Sequence, residues 1–134
     1  MLQLMVTREL SADEKAVLEF LLSRPFPGRD QLRDQLESVR TTGLSCTCGC
    51  PSIALQVDRQ APRAQVGASI DAFGRDADGN LVMVGLLMDD GYMMELDFTD
   101  VAGTSKSGAP GFPDLKTLSL ADQQQPEAGE RFST

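Results

Sequence analysis

Two kinds of hydrophobic spacing divide this chain. Ser11-Ala12-Asp13-Glu14 has the form of a capping box, with a hydroxyl at the helix N-cap and a carboxylate three residues on. Val17, Leu18, Leu21 and Leu22 then mark one helical face with Phe20 beside it, which predicts a helix over residues 12–23 that stops before Pro25. Pro25-Phe26-Pro27-Gly28 is a stiff connector. A second helix fits 29–39, where Leu32, Leu36 and Val39 form a narrow apolar stripe on a charged cylinder. Thr41-Thr42-Gly43 ends the helical part, and residues 1–10 read either as a short edge strand or as a leader.

Beyond that point the period falls to two. Ile53, Leu55 and Val57 alternate with Ala54, Gln56 and Asp58, as a half-buried strand requires. Further strands are predicted over 66–73, 81–88 and 92–98, with a polar turn at residues 75–80 and a tight turn at Asp89-Asp90-Gly91. In the last strand Met94, Leu96 and Phe98 should share one face, against Met93, Glu95 and Asp97. The segment 81–88 is apolar on both faces, so it is either a central strand covered twice or a strand whose second face meets another subunit. Phe112, Leu115, Leu118 and Leu120 suit a final segment docked on the body, whereas 121–134 has too little apolar content to offset its ordering entropy. The expected architecture is a single α+β domain over 1–120 with a flexible tail over 121–134. Two N-terminal helices pack on one face of a mainly antiparallel sheet of four or five strands, joined as hairpins and a meander.

Charge narrows the function classes. Twelve basic against twenty acidic residues give a net charge of −8 over 134 residues. That field repels phosphate backbones and anionic lipid, so neither nucleic acid nor a membrane surface is an expected partner. No secretion signal or membrane span is evident, which together with an odd cysteine count points to a cytoplasmic protein with reduced thiols. Histidine is absent, which removes every Ser-His and Cys-His dyad, and no Walker loop is present. Asp76-Ala77-Asp78-Gly79-Asn80 begins like a calcium loop, but glycine stands at the fourth place and Leu87 occupies the twelfth, so a polar turn is the reading.

Cys46, Cys48 and Cys50 are the residues suited to soft-metal or redox chemistry. Zinc–sulfur bonds of about 2.3 Å in a tetrahedron put sulfurs roughly 3.8 Å apart, but i and i+2 on a straight strand lie about 6.6 Å apart. A curl at Gly49 and Pro51, and a fourth ligand from elsewhere, would be needed. A Cys48–Cys50 redox pair lacks a neighbouring cation to lower a thiol pKa. Packing as small hydrophobes is the plainer alternative. No cofactor is expected, with zinc as the alternative. Met83, Met88 and Met93 with Tyr92 form a candidate adaptable binding patch, in line with Met94 beside them, although gap-filling in the core is the more ordinary use of methionine.

Phe26-Pro27-Gly28, Cys46-Thr47-Cys48-Gly49-Cys50-Pro51-Ser52 and Asp89-Asp90-Gly91-Tyr92 with Glu95-Leu96 resemble a group of small bacterial proteins, mostly actinobacterial, that carry a CTCGCPS-type motif. The resemblance spans about residues 11–100 and implies a prokaryotic cytoplasmic setting. It brings no assigned activity and therefore no functional residue. The residues alone favour a non-enzymatic binding or regulatory module, with a protein partner to be neutralised or a second copy bound through the methionine-rich strands. The competing class is a metal-binding or redox thiol site.

Overall fold

The computed structural model describes residues 7–44, 49–66 and 70–121. Helix α1 (Ala12–Leu21) begins at the expected capping box: the Glu14 amide donates to Ser11 Oγ, and the Ser11 amide donates to Glu14 Oε1 at 2.8 Å. Arg8 closes on the same carboxylate through two hydrogen bonds of 2.9 and 3.1 Å. Those bonds hold the Glu14 carboxyl below the usual carboxylate range. Helix α2 (Arg29–Gln35) is shorter than the apolar stripe predicts. Leu36 and Val39 still pack against the core, but from a turn, so their spacing recorded burial and not continued helix.

The sheet has six strands, not four or five. They are β1 (Arg40–Leu44), β2 (Ile53–Gln56), β3 (Ile70–Arg75), β4 (Leu81–Asp89), β5 (Tyr92–Asp100) and β6 (Ser119–Leu120), in the spatial order β1-β2-β5-β4-β3-β6 with every pairing antiparallel. The extra strands are β1, where the helical part was expected to end at Thr41-Thr42-Gly43, and β6, too short to carry a periodic signal. Arg8 bridges Thr41 at the outer edge of β1. Only β3-β4-β5 is a meander, because β2 pairs with β5 and not with β3. The predicted strand at 66–73 begins at Ile70: Val66 precedes it, and 67–69 lie outside the described residues. So does the expected tail, apart from Ala121.

Asp90 and Gly91, both with positive φ (53° and 84°), form the two-residue connection between β4 and β5. This is the backbone twist that short hairpins favour. A Cβ at Gly91 would collide with the Arg63 side chain and lie 2.7 Å from the Ala64 carbonyl, so glycine is required there. The pairing shifts register between Leu87 and Met88, which face Glu95 and Met93. That bulge reverses the phase read from the sequence. Met93 joins Leu96 and Phe98 in the core at 2% exposed, whereas Met94 is 42% exposed.

A single apolar cluster joins Val17, Leu18, Leu21, Leu22 and Leu32 of the helical part to Ile53, Ala72, Val82, Val84, Leu86, Leu96 and Phe98 of the strands. Phe112, Leu115 and Leu118 pack against it, and the rings of Phe112 and Phe98 lie 5.2 Å apart.

One polar side chain is wholly enclosed. Gln35 is 0% exposed; its Nε2 donates to the Pro62 carbonyl at 2.9 Å and the Gly91 carbonyl at 2.8 Å, and its Oε1 accepts from the Met93 amide at 3.0 Å. It ties α2, the connection leaving β2 and the β4–β5 turn at one point. Tyr92 secures the same connection, its hydroxyl directed to the Arg59 and Ala61 carbonyls and Arg59 lying 4.2 Å over its ring. Gln35→Ala leaves the Pro62 carbonyl and the Met93 amide without this partner and the Gly91 carbonyl with only the Ala64 amide, and is expected to cost about 3 kcal/mol in urea denaturation. Gln35→Glu keeps only the acceptor when ionised. It should be nearly as unstable at neutral pH and recover as acid protonates the new carboxyl, a trend that distinguishes the lost donors from lost volume.

Candidate functional site

Cross-strand partners share a face, so the registers sort the sheet into two sides. On the inner side stand the cluster residues named above. On the outer side, successive rows run Ala54–Glu95–Leu87, then Asp97–Gly85–Asp71, then Thr99–Met83–Phe73–Ser119. Leu87 is 42% exposed, and Phe73, Met83, Asp71, Glu95 and Asp97 are half-buried. Three carboxylates thus stand among three large apolar side chains on the broadest strands of the sheet.

The two central aspartates are held differently. Asp97 accepts from Ser52 Oγ at 3.2 Å and from Thr99 Oγ1 at 3.2 Å. Ser52, 1% exposed, also accepts from the Phe98 amide, so Asp97 is fixed through a buried hydroxyl anchored on the backbone. Asp71 has no hydrogen-bond or ion-pair partner among the described residues. Its Oδ1 lies 2.8 Å from where a Cβ on Gly85 would stand, so the carboxylate leans across the glycine. Burial raises its carboxyl above the usual carboxylate range. Arg75, at the end of β3, donates to the Gly79 carbonyl, and Arg40 of β1 to Thr7 Oγ1.

Asp76 shows the contrasting case of a carboxylate used for scaffolding. Burial opposes its charge, but the Asn80, Gly111 and Asp78 amides and the Asn80 side chain donate to it and hold it below the usual range. Its donors leave no room for a ligand, in keeping with the polar-turn reading. A cleft of about 270 Å³ lies between the start of α1 and the entry to β1, floored by Leu10, Leu36 and Val39. Its rim carries both signs of charge, with Glu9 and Arg40 3.9 Å apart, and so has no directional field.

The residues singled out from the sequence are spread over the molecule. Cys46 and Cys48 lie outside the described residues, and Cys50 is buried at 6% exposed. Among the described residues, no three of His, Cys, Asp and Glu are grouped to hold a metal ion. Met88 and Met93 are cross-strand partners on the inner side, Met83 is on the outer face, and Tyr92 is buried beneath Arg59. The sequence reading noted Glu95 and Asp97 on one strand face but passed over Asp71, Ser52 and Gly85. Their relation exists only across strands.

The titration of Asp71 has a defined sign. With its folded pKa above the ordinary value, its contribution to stability is intact below that value and is lost as pH rises through the raised one. Asp71→Asn cannot ionise. Its stability relative to the parent should therefore be near parity around pH 4 and shift in favour of the variant by about pH 7. Paired urea denaturation series across that range check it, and a flat difference would refute it.

No helix among the described residues is long and apolar enough to cross a membrane. No curated protein and no solved structure matches the chain. A family model described as a domain of unknown function does match, over residues 7–105, a span that takes in α1 through β5 and every outer-face residue named above except Ser119. On that match the chain belongs to the DUF6984 family.

Proposed function

We propose that this domain is a non-enzymatic protein-binding module whose docking surface is the outer face of the sheet. The observation that carries the reading is the position of Leu87. It stands 42% exposed on a central strand, in one row with Glu95, while its strand neighbour Leu86 is 4% exposed in the core. The buried residues of α1 and α2 share one cluster with the inner side of the strands, which supports both helices lying on that side, with neither on the other among the described residues. Central strands with apolar residues on an uncovered face are characteristic of surfaces that meet a partner.

Charge favours a different protein over a second copy. A face-to-face homodimer would bring Asp71, Glu95 and Asp97 towards their own equivalents, and like charges across an interface are costly. The test is affinity capture at low ionic strength with the parent chain and with Leu87→Glu, alongside light scattering. A partner retained by the parent and lost with the variant, from a protein that stays monomeric and equally folded, is the expected result. Recovery of the same partner by Leu87→Glu, or of none by the parent, refutes the reading.

A further inference from the structure

We infer that the cleft between the start of α1 and the entry to β1 binds a free α-amino acid with an apolar side chain. The inference stands apart from the docking reading, since none of its residues belongs to the outer-face rows. Leu10 comes from just before the N-cap of α1, Leu36 from the end of α2 and Val39 from the residue before β1. All three are half-buried and pack against the core cluster, so they make a floor that is held from beneath. Around it stand four charged side chains, Glu9, Lys15, Glu37 and Arg40. The volume of about 270 Å³ falls below the usual range for drug-sized ligands and suits a molecule the size of one amino acid.

The charges on the rim do not satisfy one another. Arg40 Nε and Nη2 donate to the Thr7 hydroxyl at 2.8 Å and the Thr7 carbonyl at 3.2 Å, which fixes the guanidinium. Its Nη1 is left 3.9 Å from Glu9 Oε2, beyond hydrogen-bond range. Lys15 and Glu37 are exposed and have no partner among the described residues. A zwitterion answers this set. Its carboxylate accepts from Arg40 Nη1 with Lys15 in support, its ammonium donates to the Glu9 and Glu37 carboxylates, and its side chain lies on Leu10, Leu36 and Val39. A simple anion would meet two carboxylates and the −8 of the whole chain, and a simple cation would leave Arg40 Nη1 unmatched. A neutral zwitterion is neither drawn nor repelled by the overall field, so recognition falls to the local groups.

The test titrates the full chain with leucine and follows backbone amide shifts. Two analogues, isocaproate and isoamylamine, keep the apolar chain and carry only the carboxylate or only the ammonium. Leucine should shift the amides of Glu9, Leu10, Glu37, Val39 and Arg40 saturably. Each analogue should bind about fivefold more weakly, one partly solvated charge contact being lost. Alanine, which lacks most of the apolar chain, should bind about tenfold more weakly. The double variant Glu9→Gln/Glu37→Gln should weaken leucine about fivefold and leave isocaproate no weaker, a contrast that a merely structural role of the two carboxylates would not produce. Asp30→Asn/Asp78→Asn, which changes net charge equally at residues outside the cleft, should leave both ligands within about twofold. Absence of a saturable shift at those amides overturns the site. Binding of isocaproate or isoamylamine as tight as that of leucine overturns the zwitterion. Equal weakening of leucine by the two double variants assigns the effect to the overall field and overturns the inference as well.

Discussion

A six-stranded sheet has two faces, and the apolar cluster of the described residues gathers the inner side chains of one of them. Val17, Leu18, Leu21, Leu22 and Leu32 from the helical part, with Phe112, Leu115 and Leu118 from the segment before β6, meet the inner residues of five strands. Burial on that side is the dominant stabilising term, since hydrophobic gain scales with apolar area removed from water. The order β1-β2-β5-β4-β3-β6 follows from the same need. The two longest strands sit at the centre, where their inner residues are shared by everything packed above them. The outer face is of mixed character among the described residues: half-buried carboxylates, but also Leu87, Met83 and Phe73.

Covering one side imposes a second constraint, because the link from β2 to β3 must pass the ends of β5 and β4. A passing backbone carries carbonyls that need donors, and Gln35 and Tyr92 provide them. Gln35 alone bonds two carbonyls and an amide from two other parts of the chain. A buried amide with its donor hydrogens and acceptor oxygen engaged specifies geometry that an apolar side chain of similar size would leave loose. The Asp90-Gly91 turn therefore serves twice. Its positive φ values reverse the chain, and they aim the Gly91 carbonyl at both Gln35 and the Ala64 amide.

What the sequence disclosed was local. The capping box at Ser11 and Glu14, the short turn at Asp90 and Gly91, and the strands at Ile53 and Leu81 each depend on a few neighbouring residues, so composition and period are enough to place them. The segment ending in Leu120 was legible as apolar residues that had to dock somewhere. Strand β1 was not, because Thr41-Thr42-Gly43 becomes a strand only by pairing with β2 and Arg8. Gln35 was invisible for the same reason: in a charged helix an amide looks like one more solvated residue, and its partners lie 27 to 58 positions away. The methionines illustrate a subtler failure. Strict alternation put Met94 inside and Met93 outside, and one bulge opposite Met88 exchanged them. A phase read from one strand is only as good as the regularity of its partner.

Gly85 and Asp71 bear on what the outer face is for. A glycine in the middle of a strand costs up to about 1 kcal/mol relative to alanine, and on a central strand it forfeits packing as well. A carboxylate raised in pKa by burial, without a partner, is a second local cost. On this sheet the two coincide, the aspartate lying over the glycine in the same cross-strand row. The scaffold shows what the chain does with a carboxylate needed for structure: Asp76 collects four donors, and its charge is favoured. Asp71 collects none among the described residues. Side chains that break the local rules of a fold without compensation within it are expected where the compensation arrives from outside.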